Sequence, residues 1–363
     1  MEWRFKMEKK RIGIIFGGKS GEHEVSLLSA ASVIRAIDKE KYDLFYIGIT
    51  RQGEWLAVPQ VFGRDKDGDH DITADVIENG SWEKVGAEFN PGELKKHIDF
   101  ALPIVHGPFC EDGKLQGLLE MLDVPYGGCG VLASSVAMDK AVSKELFEKA
   151  GLPVCRYELV TRGEVDTDLD AALDRVESSL GYPCFVKPAN MGSSVGISKA
   201  ADREQLKEAI KLALKYDKRI VVEEFIDCRE LETAVVGNDN PEAAAVGEIL
   251  PSAEFYDYNA KYCDGGASKL CIPADISEET AAEIRNLALR AYSAIDGEGF
   301  ARVDFFIDRK TGRVLLNEIN TIPGFTKYSM FPLLWEAAGV KYGEVIERII
   351  ELGYERYNAE NSR

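Results

Sequence analysis

Apolar positions along this chain fall into two kinds of run. Ile12-Gly13-Ile14-Ile15-Phe16 is continuous and rich in isoleucine, as a strand buried on both faces requires. From about Glu22 to Ile37 the apolar residues instead recur at helical spacing, which predicts an amphipathic helix. Further strands are predicted at Asp43–Ile49 and Phe100–Val105. Strand alternating with helix predicts an α/β domain with a mostly parallel sheet. The stretch from Gly63 to Gly92 is charged, glycine-containing and weakly periodic, and reads as a surface insertion.

Gly127-Gly128-Cys129-Gly130 marks a boundary. Beyond it, helices at about 139–150, 167–180 and 202–216 alternate with strands at Cys184–Lys187, Gly196–Ser198 and Arg219–Glu223. A third region from Glu224 holds strands at Glu230–Val236, Ala243–Ile249 and Lys269–Ile272 and a helix at Glu278–Ile295. A hairpin and terminal helices at about 331–338 and 342–357 follow. The reading is therefore three domains, 1–128, 129–223 and 224–363, the first a parallel-sheet α/β domain. No repeat, heptad array or low-complexity tract interrupts them.

Composition narrows the class. At 363 residues the chain exceeds one ordinary core, and 45% hydrophobic with 29% charged residues is that of a soluble globular protein. No apolar run reaches transmembrane length, and the N-terminus lacks a signal peptide's apolar core. Met1 to Lys10 reads as an upstream extension, with Met7 an alternative start. Seven cysteines, scattered and without a Cys-x-x-Cys pair, argue for reduced thiols in a cytoplasm. A net charge of −18 argues against nucleic acid and anionic membrane as partners. It leaves room for a small anion wherever a few Lys and Arg gather.

Candidate chemistry begins in the hairpin. Arg302-Val303-Asp304-Phe305-Phe306 and Leu315-Leu316-Asn317-Glu318-Ile319-Asn320 read as strands joined by a turn at Arg309–Gly312. Glu318 and Asn320, two apart, share a face, and pairing places Asp304 roughly opposite Glu318. Three converging oxygen donors in a chain with only four His suit Mg²⁺ better than zinc or iron. The alternative is a solvated hairpin face.

The phosphate candidate is Phe185-Val186-Lys187-Pro188 followed by Gly192-Ser193-Ser194-Val195-Gly196, where a lysine ends a strand and a Gly/Ser loop offers N–H and hydroxyl donors. An ordinary hairpin turn is the alternative. Lys140 is a second basic residue, otherwise a solvated helix lysine. Phe16-Gly17-Gly18-Lys19-Ser20-Gly21 fits neither nucleotide-loop spacing, although the helix it opens offers free N–H groups.

Together these segments resemble the ATP-grasp superfamily and, within it, the D-alanine–D-alanine ligase family. The resemblance runs from about Arg11 to Glu351. It rests on Phe16–Ser26, Pro103–Gly107, Glu111–Gly117, Met138-Asp139-Lys140, Val186-Lys187-Pro188, Gly192–Gly196, Phe255–Tyr262, Ala301–Asp304 and Asn317–Thr326, in that order and spacing.

The resemblance implies an α/β chain, with an N-terminal parallel-sheet domain followed by a two-lobed ATP-grasp fold that is α+β in character, and an enzyme joining two D-alanines with one ATP. Asp304, Glu318 and Asn320 would hold two Mg²⁺, for which Mn²⁺ can substitute. Lys140 and Lys187 would contact ATP phosphates under the loop containing Gly192 and Ser194, with Lys261 nearby. Glu223, Glu224, Ile226 and Glu230 would meet adenine and ribose; without the resemblance, Glu223 and Glu224 read as an exposed strand end. Arg302 and the Gly324 N–H would form an oxyanion hole. Glu24 would receive the first D-alanine's ammonium, with His106 near the reacting carboxylate. Ser329 and Met330 would flank the second D-alanine, and Tyr262 would latch to Ser193, which meets Glu24. The family's dimerisation through the N-terminal domain is carried over as an expectation.

One departure is visible. Cys110 stands where the family usually has Gly before Glu-Asp-Gly; at positive φ it would be strained by about 1 kcal/mol or more. Rival readings are sister ligases taking D-lactate or D-serine, and a non-catalytic nucleotide or amino-acid binder of the same fold. Tyr256, Tyr262 and Met330 favour D-alanine over the sister ligases by resemblance. The retained Lys140, Lys187, Arg302, Asp304, Glu318 and Asn320 favour an enzyme over a binder.

Overall fold

The run at Ile12–Phe16 is the heart of strand β1 (Lys10–Gly17) in a computed structural model that describes residues 9–65, 68–192, 195–250 and 269–362. Helix α1 (His23–Ala36), β2 (Tyr42–Ile49), β3 (Trp55–Val58), the hairpin β4 (Phe62–Asp65) and β5 (Gly68–Asp71), and α2 (Thr73–Glu78) follow it. Then come α3 (Trp82–Val85), β6 (Ala87–Glu88), α4 (Leu94–His97), β7 (Phe100–Val105) and α5 (Lys114–Met121). The sheet runs β6-β3-β2-β1-β7, with β1 parallel to both β2 and β7. Its parallel centre matches the expectation. The antiparallel edge, β3 on β2 and β6 on β3, was not legible in the pattern.

The segment read as a surface insertion is a correction. Trp82 within it is fully buried, its ring edge-on to Phe16 with centroids 5.2 Å apart. Gly48 makes the space, since a Cβ there would lie 2.1 Å from the indole. Helices of six and four residues carry one or two anchors each, Ile77 and Trp82, and so produce no detectable period.

A second compact unit comprises Glu111–Gly113 and Cys129–Pro323. It opens with α6 (Val131–Met138), α7 (Lys140–Lys149), β8 (Tyr157–Thr161) and α8 (Arg162–Ser179). Next come β9 (Cys184–Pro188), β10 (Ser198–Ala200), α9 (Arg203–Ala213) and β11 (Arg219–Glu224). These give an antiparallel sheet ordered β10-β9-β11-β8. A second antiparallel sheet, β14-β13-β12-β15-β16, is built from β12 (Cys228–Val236), β13 (Glu242–Leu250), β14 (Lys269–Cys271), β15 (Phe300–Asp308) and β16 (Val314–Asn320). Helix α10 (Glu278–Ala294) packs its Ile284, Leu287 and Ala288 into the same core as Val235, Val303 and Leu316.

Local rules set several boundaries. Helix α8 starts five residues before the predicted 167, because Thr161 and Glu164 form a capping box ahead of the non-helical Asp168. Strand β10 begins at Ser198 and not Gly196, whose φ of 74° is not a strand conformation. Asp139 caps α7 by accepting from the Ala141 and Val142 N–H groups, which fixes where the lysines of that helix begin. Strand β11 has two unlike faces. Ile220 and Val222 enter the core with Leu206 and Ile210, while Val221 meets Ala141 of α7 and Ala189. Glu223 shares the Val221 face by alternation.

The last helices, α11 (Met330–Ala337) and α12 (Tyr342–Asn361), belong to the first unit, which takes in everything from Gly324 onward. The sequence reading carries them with 224–363. Their attachment is apolar and close: Phe100 and Tyr354 meet as tilted rings with centroids 4.8 Å apart, and a Cβ at Gly353 would lie 2.4 Å from the Tyr126 carbonyl. Buried Arg356 donates to the Gly128 and Tyr126 carbonyls.

Candidate active site

The β15–β16 hairpin pairs Asp304 with Glu318 and Arg302 with Asn320, and a register shift follows Asp304. Arg302 and Asp304 are two apart on one strand and therefore share a face. The Arg302 guanidinium grips Asp304 through both carboxylate oxygens at 2.7 Å, and Asn320 Nδ2 donates to Asp304 Oδ2 at 3.0 Å. Glu232, the β12 register partner of Asp304, comes within 2.9 Å of Arg302 Nε. Lys140 Nζ lies 3.6 Å from Glu318 and donates to the Met191 carbonyl at 2.8 Å. Thus the three expected metal ligands and two of the expected cations are brought together.

No group of three or more His, Cys, Asp or Glu able to hold a metal occurs among the described residues. The hairpin offers two carboxylates and an amide. With its nitrogen turned to Asp304, Asn320 keeps its amide oxygen available as a donor. This small, hard set fits Mg²⁺, which binds through one or two carboxylates and completes its shell with water and phosphate oxygens.

A second charged cluster lies between β9, β11 and α7. Glu223 is only 3% exposed, so the exposed-strand-end alternative fails for it. Its two oxygens are divided: Lys187 Nζ lies 2.6 Å from Oε2 and Lys144 Nζ 3.0 Å from Oε1. Burial pushes the Glu223 carboxyl up, but the Lys144 and Lys187 charges outweigh it and hold the group far below the usual carboxylate range. For Lys144 the same contest leaves the ammonium above its ordinary value: burial works against it, and Glu223 prevails. The adjacent Cys155 thiol, 3.4 Å from Lys144 Nζ, is pushed up to about 11 by burial. Glu224 points elsewhere, paired with Arg156 at 2.7 Å. Ile226 and Glu230 are half-buried between and on β11 and β12.

Lys144 and Glu232 were missed by sequence reasoning. The signals were local: Lys144 follows Lys140 by four on one helix face, and Glu232 follows Glu230 by two on one strand face. Gly192 lies within the described residues. Ser193, Ser194, Tyr256, Lys261 and Tyr262 fall outside them.

The remaining expected residues sit in the first unit. Glu24, exposed on α1, is ion-paired with Arg51; burial opposes, but the Arg51 hydrogen bond and charge prevail, and its carboxyl stays below the ordinary value. His106 is buried with Nε2 3.2 Å from Ser29 Oγ, and the same hydroxyl accepts from the Phe325 N–H at 3.2 Å. One serine thereby joins the His106 loop to the segment after Gly324. Ser29 too was missed. Ser329 precedes α11 and contacts Thr326 Oγ1 at 2.8 Å, while Met330 is buried.

The strain anticipated at Cys110 falls one residue earlier. Phe109 takes φ of 71°, and Cys110 does not have a positive φ. Cys110 is buried beneath Gly18, where a Cβ would lie 2.6 Å from its Sγ. The thiol fills space that the missing side chain of Gly18 leaves.

Family comparison supplies what geometry does not. The sequence model of the D-ala D-ala ligase N-terminus matches residues 11–129, and that of the C-terminus matches 146–351. The chain belongs to the D-alanine–D-alanine ligase family. It is 49% identical over 367 residues to the D-alanine–D-alanine ligase of a Thermoanaerobacter species, covering 97% of this chain and 98% of that one. To the enzyme of the same name in Geobacillus thermodenitrificans it is 50% identical, with 96% of each chain covered. Among solved structures it resembles the VanG D-Ala:D-Ser ligase of Enterococcus faecalis, with a TM-score of 0.84 at 34% identity over 95% of this chain and all of that one. It also resembles the D-alanine–D-alanine ligase of Coxiella burnetii, at TM-score 0.78 and 29% identity over 98% of both chains. The fold is that of these ligases. No described helix is long and apolar enough to cross a membrane.

Proposed function

We infer that this ligase performs its family's reaction, joining two D-alanines at the expense of ATP to supply the peptide end of the peptidoglycan precursor. The carrying observation is the near full-length identity to ligases of that name, together with the Arg302–Asp304–Asn320 constellation facing Glu318. ATP phosphorylates the carboxylate of the first D-alanine, giving an acyl phosphate and ADP. The amine of the second D-alanine attacks, and phosphate leaves from the tetrahedral intermediate.

The residues meet the needs of these steps. Phosphoryl transfer is mostly positioning and charge neutralisation. Lys140 and Lys187 take ATP phosphates, with Gly192, Ser194 and Lys261 closing over them. Glu223, Glu224, Ile226 and Glu230 bind adenine and ribose. Asp304, Glu318 and Asn320 hold Mg²⁺, which when bound supplies positive charge against the phosphates. Arg302 and the Gly324 N–H receive the oxyanion. Glu24 takes the ammonium of the first D-alanine by exchanging Arg51 for it, His106 stands near the reacting carboxylate, and Ser329 and Met330 border the second amino acid. Ser193 and Tyr262 complete the closure, which protects an acyl phosphate from water. A division of the second unit into ATP-grasp lobes near Glu224, a homodimer through the N-terminal domain, and a cytoplasmic location complete the proposal.

The likeness to a D-Ala:D-Ser ligase keeps one rival in view. ADP release with D-alanine alone, followed by mass spectrometry of products formed with excess D-serine or D-lactate, decides it. D-Ala-D-Ala as the major product is expected. A mixed product in excess would reassign the second substrate, and no D-alanine-dependent ADP would leave only a binder.

A further inference from the structure

Lys187 and Glu223 are both assigned to the nucleotide above, yet in the structure they are bonded to each other. A lysine whose charge is already balanced by a buried carboxylate attracts a phosphate less strongly, even though its ammonium has three N–H donors. The resolution lies in the third member. Glu223 offers one oxygen to each lysine, so two cations share one anion and the cluster carries an excess of positive charge.

The two lysines are not equivalent. The Lys144 side chain is 2% exposed, enclosed by Glu223, Cys155 Sγ at 3.4 Å and the Tyr157 ring at 5.7 Å. Lys187 stands near the end of β9 with its side chain 12% exposed. Only Lys187 has a way out. We propose that Lys144 is a positioning residue for the nucleotide site: it neutralises Glu223 permanently, so that Lys187 can exchange that carboxylate for a nucleotide phosphate. This rests on the nucleotide reading of Lys187 and Glu223.

The logic is electrostatic. With Lys144 present, withdrawal of Lys187 leaves a neutral buried pair. Without it, withdrawal would strand a buried, uncompensated carboxylate, which is strongly unfavourable. Lys187 would then stay locked. The carboxylate oxygens, with further lone pairs to offer, remain able to accept from an adenine amine in either case.

The test is a double-mutant cycle on the whole chain, reading ADP affinity by calorimetry in the presence of Mg²⁺. Lys144→Met should weaken ADP by about tenfold or more, a coupling usual for members of one ion-pair network. The KM for D-alanine should stay unchanged. On a Glu223→Gln background the same substitution should change ADP affinity by less than about twofold, because no anion remains to trap Lys187. Equal losses on both backgrounds, or no loss in Lys144→Met alone, would overturn the proposal. If Glu223→Gln itself leaves ADP affinity unchanged, the nucleotide reading of the site fails first, and visibly so. A readout independent of folding in the variants comes from ¹⁵N-lysine NMR of the unmodified protein. ADP should shift the Lys187 ammonium and leave that of Lys144 in place; the reverse pattern contradicts the proposal.

Discussion

Two charge clusters of the second unit make opposite uses of burial. At the β15–β16 hairpin, among the described residues, Asp304 and Glu318 of the hairpin and Glu232 of β12 are set against Arg302 and Lys140 of α7, three carboxylates to two cations. Between β9, β11 and α7, Lys144 and Lys187 are set against Glu223 alone. Counted over the described residues, the first has negative charge in excess, as a metal ion would need, and the second positive charge in excess, as a phosphate would need. On the proposed function, a nucleotide with its metal would present both partners, and each cluster would be stabilised when the ligand arrives.

Neutralising either cluster should therefore fail in a different way. Asp304→Asn replaces a charged proposed ligand with a neutral amide and loosens the two-oxygen clamp on Arg302, and should lower the rate of ADP formation by on the order of 10³-fold or more with little change in ADP affinity without metal. A rate within tenfold of the parent, with Mg²⁺ as sole metal, breaks the assignment.

Glu223→Gln should strike stability as well, because it leaves two buried lysines without their carboxylate, at a cost of about 3–5 kcal/mol. Its pH signature has a definite sign. A carboxyl held low in the folded state contributes stability above its unfolded value near 4.3, and that contribution is lost as pH falls toward the folded value. Denaturant melts should show a steeper acid limb below about pH 4 in the parent than in the variant. Parallel limbs would mean that Glu223 is not ionised as described.

A subtler contrast concerns Arg302. Glu232→Gln keeps the side-chain shape but weakens a charged contact on the guanidinium while Asp304 still holds it, so kcat should fall by about tenfold while melting changes little. An unchanged kcat would mean that Glu232 does not position Arg302. Least of all should change in Ser29→Ala, which unlinks His106 from the Phe325 N–H. A loss of about 1–2 kcal/mol is expected from two hydrogen bonds at one hydroxyl, measured by denaturant unfolding.

What the sequence made legible was whatever repeats at short range. The continuous apolar runs gave β1, β2 and β7, and the i, i+2 spacing of Glu318 and Asn320 gave the hairpin face. Trp82 stayed hidden because its partner, the bare Gly48, is 34 residues away and leaves no periodic mark. Lys144 and Glu232 were hidden for a related reason: a charged residue on a helix or strand face reads as solvated until the opposing charge from another element is known. The strain expected at Cys110 went astray because loop φ angles depend on neighbours, and Phe109 took the unusual conformation.

The central claim, that ATP activates the carboxylate of D-alanine as an acyl phosphate before peptide bond formation, is most directly tested by isotope transfer. D-alanine labelled with ¹⁸O in its carboxylate is incubated with ATP and the enzyme, and the inorganic phosphate is analysed by mass spectrometry. One ¹⁸O per phosphate released is predicted, since the oxygen that attacks the γ-phosphorus leaves with it. Unlabelled phosphate accompanying D-Ala-D-Ala would contradict the account.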